Sequence, residues 1–165
     1  MKNTHTLYSM ILLCATLSLL LGCILIDPGL KPDDEPGLAD IQLKLDLNRE
    51  KWMSKMVSNY EFYFQRHCFC FEDDIAPVII SVRDNRIVDV NFVGGNALRT
   101  IKDFDDYLTV EGLFDFVQEK IDEKVDSISA EYHSELGYPT EVWIDHDIGA
   151  DDDGIGFEIR WLSIK

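Results

Sequence analysis

Residues 78–92, VIISVRDNRIVDVNF, decide the fold class of this chain. Every second residue is apolar on both sides of Asp84-Asn85, which is the period-2 pattern of half-buried strands. Asp and Asn tolerate the left-handed backbone conformation that a tight turn between two strands requires. The stretch therefore predicts a β-hairpin that buries one of its faces.

The residues before this hairpin predict a helix and a further strand. A short helix is expected from about Asn48 to Val57, because Trp52, Met53 and Met56 fall on one helical face. Residues 60–65, YEFYFQ, alternate between two faces and predict a strand. The first half of the domain is therefore a helix, a strand and the hairpin.

The residues after the hairpin repeat this order. Thr109 can cap a helix with acidic residues near its start, lysines near its end and an apolar stripe over residues 113–121. Three strands are predicted at about residues 128–132, 142–144 and 155–161. The order α-β-β-β-α-β-β-β predicts an α+β fold, an antiparallel sheet with helices on one face. The repeated order also raises the hypothesis of an internal duplication.

The N-terminus predicts export and a lipid anchor. Residues 1–22 have one basic residue, Lys2, and then an uncharged apolar stretch, the layout of a secretory signal peptide. An uncleaved membrane helix is the alternative, because about 20 apolar residues can span a bilayer. Leu20-Leu21-Gly22-Cys23 resembles the bacterial lipobox, which makes Cys23 the predicted lipid-attachment residue of a lipoprotein. Both interpretations place the domain outside the cytoplasm.

The segment after Cys23 predicts a tether and indicates the membrane to which the protein is sorted. Ile24 stands where an Asp would resemble an inner-membrane retention signal, so we expect the periplasmic face of the outer membrane if the cell is Gram-negative. Residues 23–46 contain three prolines and an acidic run and predict an extended, solvated tether. The single α+β domain is then placed at residues 47–165, although apolar alternation at residues 38–47 leaves an earlier start open.

The composition excludes several classes of partner. The chain has 165 residues, is 46% hydrophobic and carries a formal net charge of −16. That apolar fraction supports a folded core and excludes a disordered acidic tail. The negative charge argues against binding to nucleic-acid phosphates and against docking on an anionic membrane by charge alone. Loss of residues 1–22 removes Lys2 and no acid, so the exported part is more acidic still.

An ordered set of short motifs runs through about residues 48–165. They are Trp52, Tyr60-Glu61-Phe62, Cys68-Phe69-Cys70, Pro77-Val78, Val82-Arg83-Asp84, residues 109–114, Tyr132, Gly137-Tyr138-Pro139, Ile144-Asp145 and residues 151–153. In this order they resemble a family of mostly bacterial secreted proteins and lipoproteins that is recorded as a domain of unknown function. The resemblance brings no established activity. Gly112 departs from the family's pattern, where an acidic residue is more usual.

Cys68 and Cys70 are the two cysteines left after removal of the signal and acylation of Cys23. An even pair in an oxidising compartment predicts a Cys68–Cys70 disulfide. Two alternatives stay open. A redox-active pair needs a positive neighbourhood, to which His67 contributes while the acidic residues that follow oppose it. A zinc site lacks a second closely spaced pair of ligands.

The loop between the last two predicted strands is rich in carboxylates. Asp145, Asp147, Asp151 and Asp153 could bind a hard divalent cation such as Ca²⁺, because clustered carboxylates repel until a cation is bound. The spacing does not fit an EF-hand loop. A solvated hairpin turn without a cation is the competing interpretation.

Histidines and off-pattern aromatic residues complete the candidates. His67, His133 and His146 lie in no Gly-x-Ser-x-Gly, His-Glu-x-x-His or phosphate-loop motif, so no catalytic residue and no cofactor are predicted. Exposed aromatic side chains can mark a partner surface. Those predicted to face away from the core are Tyr63, Tyr138 and Trp143.

Three functional hypotheses follow. The first is a non-enzymatic, lipid-anchored binding or interaction module of the cell envelope, with an unknown envelope protein as its partner. The second is a thiol-disulfide active envelope protein that uses Cys68 and Cys70. The third is a weak Ca²⁺-binding module built on the Asp-rich loop.

Overall fold

The computed structural model describes residues 37–71, 74–94, 104–146 and 153–165, within the unit Glu35–Lys165. The predicted element order is confirmed, except that the last predicted strand, at about residues 155–161, ends at Glu158 and an additional short strand follows it. The elements are α1 (Leu38–Ser54), β1 (Tyr60–Cys68), β2 (Val78–Arg83), β3 (Arg86–Phe92), α2 (Val110–Glu123), β4 (Ser127–Tyr132), β5 (Pro139–Asp145), β6 (Ile155–Glu158) and β7 (Leu162–Ile164).

The first helix is longer than the sequence predicts. It begins at Leu38 rather than near Asn48, so residues 38–46 are helical and the predicted extended tether does not reach residue 46. Ile41 and Leu45 are buried at helical spacing, whereas Leu43 is exposed. The alternation at residues 38–47 is therefore not that of a strand, because only the residues on one helical face reach the core.

The second helix matches its sequence signals more closely. Thr109 accepts a hydrogen bond from the Gly112 amide, the expected N-cap contact. Lys124 ends the helix in the left-handed conformation, and its amide bonds back to the Ile121 carbonyl. The apolar stripe of α2 is buried throughout: Val110, Leu113, Phe114, Val117 and Ile121.

The described strands form one antiparallel sheet in the order β3-β2-β1-β6-β5-β4. The last two strands follow each other along the same edge of β1, with β7 beside Tyr60–Phe62 and β6 beside Gln65–Cys68. β1 therefore joins the two halves of the sheet. The strands that meet at this junction are β1, the first strand of its half, and β6 and β7, the last two strands of the other half.

This arrangement bears on the hypothesis of a duplication. Two equal halves related by a twofold axis normal to the sheet would place β1 beside β4, or β3 beside β6. The sheet instead places β1 beside β6. Each half therefore lays out its strands in the same order across the sheet, β3-β2-β1 and then β6-β5-β4, but the antiparallel pairing of β1 with β6 makes corresponding strands of the two halves run in opposite directions.

One face of the sheet forms the core with both helices. Its inward residues include Tyr60, Phe62, Phe64, Val78, Ile80, Val82, Ile128, Val142, Ile144 and Phe157. The opposite face, here called the outer face, carries polar side chains together with Trp143, which is 44% exposed as predicted. The prediction for Tyr138 is wrong, because Tyr138 is buried in the core. Tyr63 is also buried, since the Arg160 guanidinium lies 4.7 Å from its ring centroid.

Candidate functional site

Several motif residues meet in one place, between the two helices and β1. We call this group, Trp52, Tyr60, Glu111, Gly137 and Tyr138, the scaffold cluster. Trp52 packs edge-on against Tyr60 and Tyr138, with ring centroids 5.4 and 6.2 Å apart. Trp52 and Tyr60 are almost completely buried. Trp52, Tyr60 and Tyr138, which are distant in sequence, therefore pack together in one aromatic core.

Glu111 links the polar atoms of the scaffold cluster. Trp52 Nε1 donates to Glu111 Oε1 at 2.8 Å, and the Tyr60 hydroxyl donates to Glu111 Oε2 at 3.0 Å. The Val110 amide donates to the same hydroxyl at 3.0 Å. Burial, and next the negative charge of Glu111, raise the pKa of Tyr60 far above its ordinary value. Tyr60 is therefore a neutral structural phenol and not an acid–base group.

Gly137 lets the loop after β4 approach α1. Its φ is +84°, and a Cβ at this position would lie 2.5 Å from the carbonyl oxygen of Asn48. Neither the backbone conformation nor the space accepts a side chain. The Gly137-Tyr138-Pro139 motif is thus explained by packing within the scaffold cluster.

The His133 side chain has hydrogen-bond and stacking partners in the same loop. Its Nδ1 accepts hydrogen bonds from the amides of Glu135 and Leu136, at 3.3 and 3.2 Å. Its ring stacks on Tyr138 with centroids 4.8 Å apart. These contacts give His133 a structural role in the loop after β4.

The outer face carries a different kind of site. An open groove of about 440 Å³ lies where the end of β1 faces β5 across β6. We call it the groove, and its lining residues are Gln65, Arg66, His67, Cys68, Phe69, Ile75, Trp143 and Gly154. Of the candidates named from sequence, the structure brings His67, Cys68 and Trp143 together here.

Trp143 forms a platform on one side of the groove. A Cβ on Gly156 would lie 2.5 Å from Trp143 Cε3, and a Cβ on Gly154 would lie 2.8 Å from its Cζ2. These two glycines contact opposite sides of the six-membered ring of the indole, so Trp143 packs against the backbone at the start of β6. The remaining surface of the ring faces solvent, and the side chain is 44% exposed.

The disulfide forms the opposite wall. Cys68 and Cys70 are joined through Sγ atoms 2.01 Å apart. Phe69 between them, and Phe71 after them, are each 85% exposed. Large aromatic side chains at this exposure are unusual in a soluble domain unless they contact something else.

A chain of polar side chains borders the groove. His67 Nε2 lies 3.9 Å from Glu158 Oε2, and Arg160 Nε donates to Glu158 Oε1 at 3.0 Å. Gln65 Oε1 accepts from the Tyr63 hydroxyl at 2.9 Å. The Gln65 amide nitrogen has one long contact of 3.4 Å, to the Ile75 carbonyl. The rim of the groove therefore offers both donors and acceptors.

The Asp-rich loop is described only at its two ends. Asp145 closes β5 and Asp153 precedes β6, and one carboxylate oxygen of each is shielded from solvent without a hydrogen-bond partner. Asp147 and Asp151 lie outside the described residues, as does Cys23. Within the ranges that the structure describes, no three His, Cys, Asp or Glu residues are placed to hold a metal ion. In those ranges no helix is long and apolar enough to cross a membrane.

Comparison with known proteins places the chain in a family. A family model described as a family of unknown function, DUF6174, matches residues 44–164. The chain belongs to this family. No curated protein and no solved structure matches it. The resemblance noted from the motifs is confirmed, and the match begins within α1, before the predicted domain start at residue 47.

The groove was only partly visible in the sequence. Trp143 was predicted to face away from the core, and His67 was noted beside the cysteines. The glycine pair was missed, although Gly154 and Gly156 are two residues apart, one just before β6 and one within it. Two glycines so spaced at the start of a strand, next to a strand with an outward Trp, are the sequence signal that could have predicted the platform.

Proposed function

We propose that this protein is a lipid-anchored binding module of the cell envelope, and that the groove is its binding surface. The observation that carries the proposal is the exposed aromatic wall of Trp143 and Phe69 around a concavity on the outer face. Concave sites with aromatic lining and a few polar groups are the usual form of ligand sites. A tether from Cys23 would hold this groove near the membrane and raise its effective concentration there.

The contacts made by the histidine and tyrosine side chains support binding rather than catalysis as the leading proposal. His133 is held by backbone amides, and Tyr60 is buried against Glu111. His67 lines the groove, and its Nε2 lies 3.9 Å from Glu158 Oε2. No nucleophile other than the disulfide sulfurs lies among the described lining residues.

The lipid anchor is tested by mass spectrometry of the membrane fraction. We expect a mature chain that begins at a triacylated or diacylated Cys23, and release of the protein into the soluble fraction when Cys23→Ser is introduced. An intact N-terminus with an unmodified Cys23 would contradict the anchor.

The groove is tested by photo-crosslinking in whole cells. A photoreactive phenylalanine analogue replaces Phe69, and the control carries it at Met56, which is 88% exposed at the end of α1. We expect a discrete adduct from position 69 that is missing from position 56. The same adduct pattern from both positions would argue against the groove as a specific surface.

A second function, thiol-disulfide exchange, is favoured by the position of the disulfide in the groove and by the exposure of Cys70. A substrate thiolate would attack one sulfur and form a mixed disulfide, and a second substrate thiol would then release the reduced Cys68 and Cys70 pair. Two electrons and two protons would pass from the substrate dithiol to this pair. We expect glutathione buffers to reduce an active pair, whereas a disulfide that stays oxidised is structural.

Weak Ca²⁺ binding is a third candidate, favoured by the unpartnered oxygens of Asp145 and Asp153 at the two ends of one loop. Calorimetry with millimolar Ca²⁺ tests it on the wild type and on Asp145→Asn. Asp89→Asn is the control, because Asp89 lies on β3 in the other half of the sheet. Heat that is equal in all three proteins, or no heat, would eliminate this candidate.

A further inference from the structure

We propose that the groove binds a neutral saccharide, with one sugar ring stacked on the exposed face of Trp143. The inference rests on the proposed function and specifies its ligand. Four features of the groove carry it: the platform, the strand pairing around it, the charge of its lining and the polar groups on its rim.

The platform selects a ligand with a flat apolar face. The indole packs against Gly154 and Gly156, which restricts rotation of the side chain, and Trp143 is 44% exposed. The face of an aromatic ring carries partial negative charge, which attracts the partially positive C–H groups of an apolar ligand face. A pyranose ring presents such a row of C–H groups on one side.

The strand pairing around Trp143 disfavours an added peptide strand at this position. Trp143 is paired with Ser129 of β4 on one side and with Gly156 of β6 on the other. Its backbone groups therefore belong to strands that are already bonded on both edges. A ligand placed on Trp143 meets an aromatic face and side-chain groups, and no open strand edge.

The charge of the lining disfavours charged ligands of either sign. Arg66 contributes a positive charge to the described lining, where its guanidinium donates to the Asp106 carbonyl oxygen, and this charge disfavours a cation. The chain as a whole carries a net charge of −16, so it repels a polyanion at long range. A neutral ligand experiences neither of these electrostatic repulsions.

The rim of the groove has hydrogen-bond donors and acceptors that match a hydroxyl-rich ligand. The Gln65 amide nitrogen makes one long contact of 3.4 Å and can donate to a ligand oxygen. His67, beside Glu158, can donate or accept according to its tautomer. Hydroxyl groups both donate and accept, so they match this mixed rim better than a purely acidic or purely apolar ligand does.

The test is calorimetric titration of the mature domain with three neutral tetrasaccharides: chitotetraose, cellotetraose and maltotetraose. We expect at least one of them to bind in the millimolar range or tighter. Trp143→Ala should weaken this binding about fivefold, since stacking on an aromatic face contributes on the order of 1 kcal/mol and about 1.4 kcal/mol is tenfold in affinity. His67→Ala should weaken it while leaving the fold unchanged, which keeps the test valid if the Trp143 variant is unstable.

The matched control is Trp161→Ala. Trp161 is 41% exposed, close to the exposure of Trp143, but it does not line the groove. We expect this variant to bind the saccharide as the wild type does. Equal losses in the two tryptophan variants, or equal binding in the wild type and Trp143→Ala, would overturn the saccharide site.

Failure of this inference can be distinguished from failure of the proposed function. Absence of binding to all three saccharides at millimolar concentration overturns the saccharide inference. If photo-crosslinking at position 69 still captures a protein, the groove remains a binding surface with a peptide ligand. If neither experiment gives a specific signal, both proposals are wrong.

Discussion

The scaffold cluster and the groove are both aromatic, yet they differ in how their polar atoms and ring faces are used. In the scaffold cluster, Trp52 Nε1 and the Tyr60 hydroxyl both bond to Glu111, and the rings are covered. In the groove, Trp143 packs against Gly154 and Gly156 and is 44% exposed. A satisfied aromatic cluster specifies the fold, whereas an open one is available for a ligand.

The difference also separates the motif residues by role. Trp52, Tyr60, Glu111 and the Gly-Tyr-Pro motif are explained by the joining of α1, α2 and β1, while the Cys68-Phe69-Cys70 motif borders the groove. We therefore expect substitutions in the scaffold cluster to change the free energy of unfolding. Substitutions in the groove should change binding and the environment of Trp143 with smaller changes in stability.

The largest expected effect is that of Gly137→Ala. The new Cβ would lie 2.5 Å from the Asn48 carbonyl oxygen at a φ of +84°. Strain and overpacking together should lower the free energy of unfolding by about 3 kcal/mol or more, measured by urea denaturation. Gly94→Ala is the control, because Gly94 also has a positive φ, +71°, but nothing lies within 4 Å of its Cβ position. Equal losses in the two variants would mean that the contact with α1 is unimportant.

A somewhat smaller loss is expected for Glu111→Gln. The amide keeps the size of the side chain, but its nitrogen cannot accept a hydrogen bond from Trp52 or Tyr60. One buried donor is left unpaired, which should lower the free energy of unfolding by about 1–3 kcal/mol. Glu119→Gln on the exposed side of the same helix is the matched control and should change it by less than about 0.5 kcal/mol. A Glu111 variant as stable as its control would contradict the role of the scaffold cluster.

Gly154→Ala tests whether a change in the groove affects Trp143 more than it affects the stability of the fold. The added methyl group meets the edge of the Trp143 ring at 2.8 Å, and this exposed side chain can move away. We expect a change of stability within about 1 kcal/mol together with a clear shift in Trp143 fluorescence emission. The same substitution in a Trp143→Ala background should leave the emission unchanged. A large loss of stability without an emission shift would show that Gly154 serves the backbone and not the platform.

These contrasts also show how far the sequence could be read. The hairpin at residues 78–92 and the helix after Thr109 were predicted because their periodicity and capping signals are local. The early start of α1 was missed because Ile41, Leu43 and Leu45 alternate in sequence as residues of a strand do. In the structure Ile41 and Leu45 are buried and Leu43 is exposed. The prediction for Tyr138 failed because its burial depends on Trp52, which is distant in sequence. The platform was missed because it depends on the register that places Gly156 beside Trp143.

The smallest expected effect lies on the outer face, toward the opposite end of β1 from the groove. Lys165 Nζ lies 2.8 Å from Glu61 Oε2, and this hydrogen bond is the main cause that holds the pKa of Glu61 below its ordinary value of 4.5. Because the folded-state pKa is lowered, Glu61 contributes stability above the unfolded-state pKa. That contribution is lost as the pH falls through the lower folded-state pKa.

Lys165→Ala should therefore reduce the melting temperature slightly at neutral pH, and its difference from the wild type should shrink as the pH falls below about 4. The effect is a fraction of 1 kcal/mol, because both side chains are partly exposed and salt screens the pair. Lys55→Ala at the end of α1 is the control and should show no such pH dependence. A difference that grows toward acid pH would contradict the stabilising role of the Lys165–Glu61 pair.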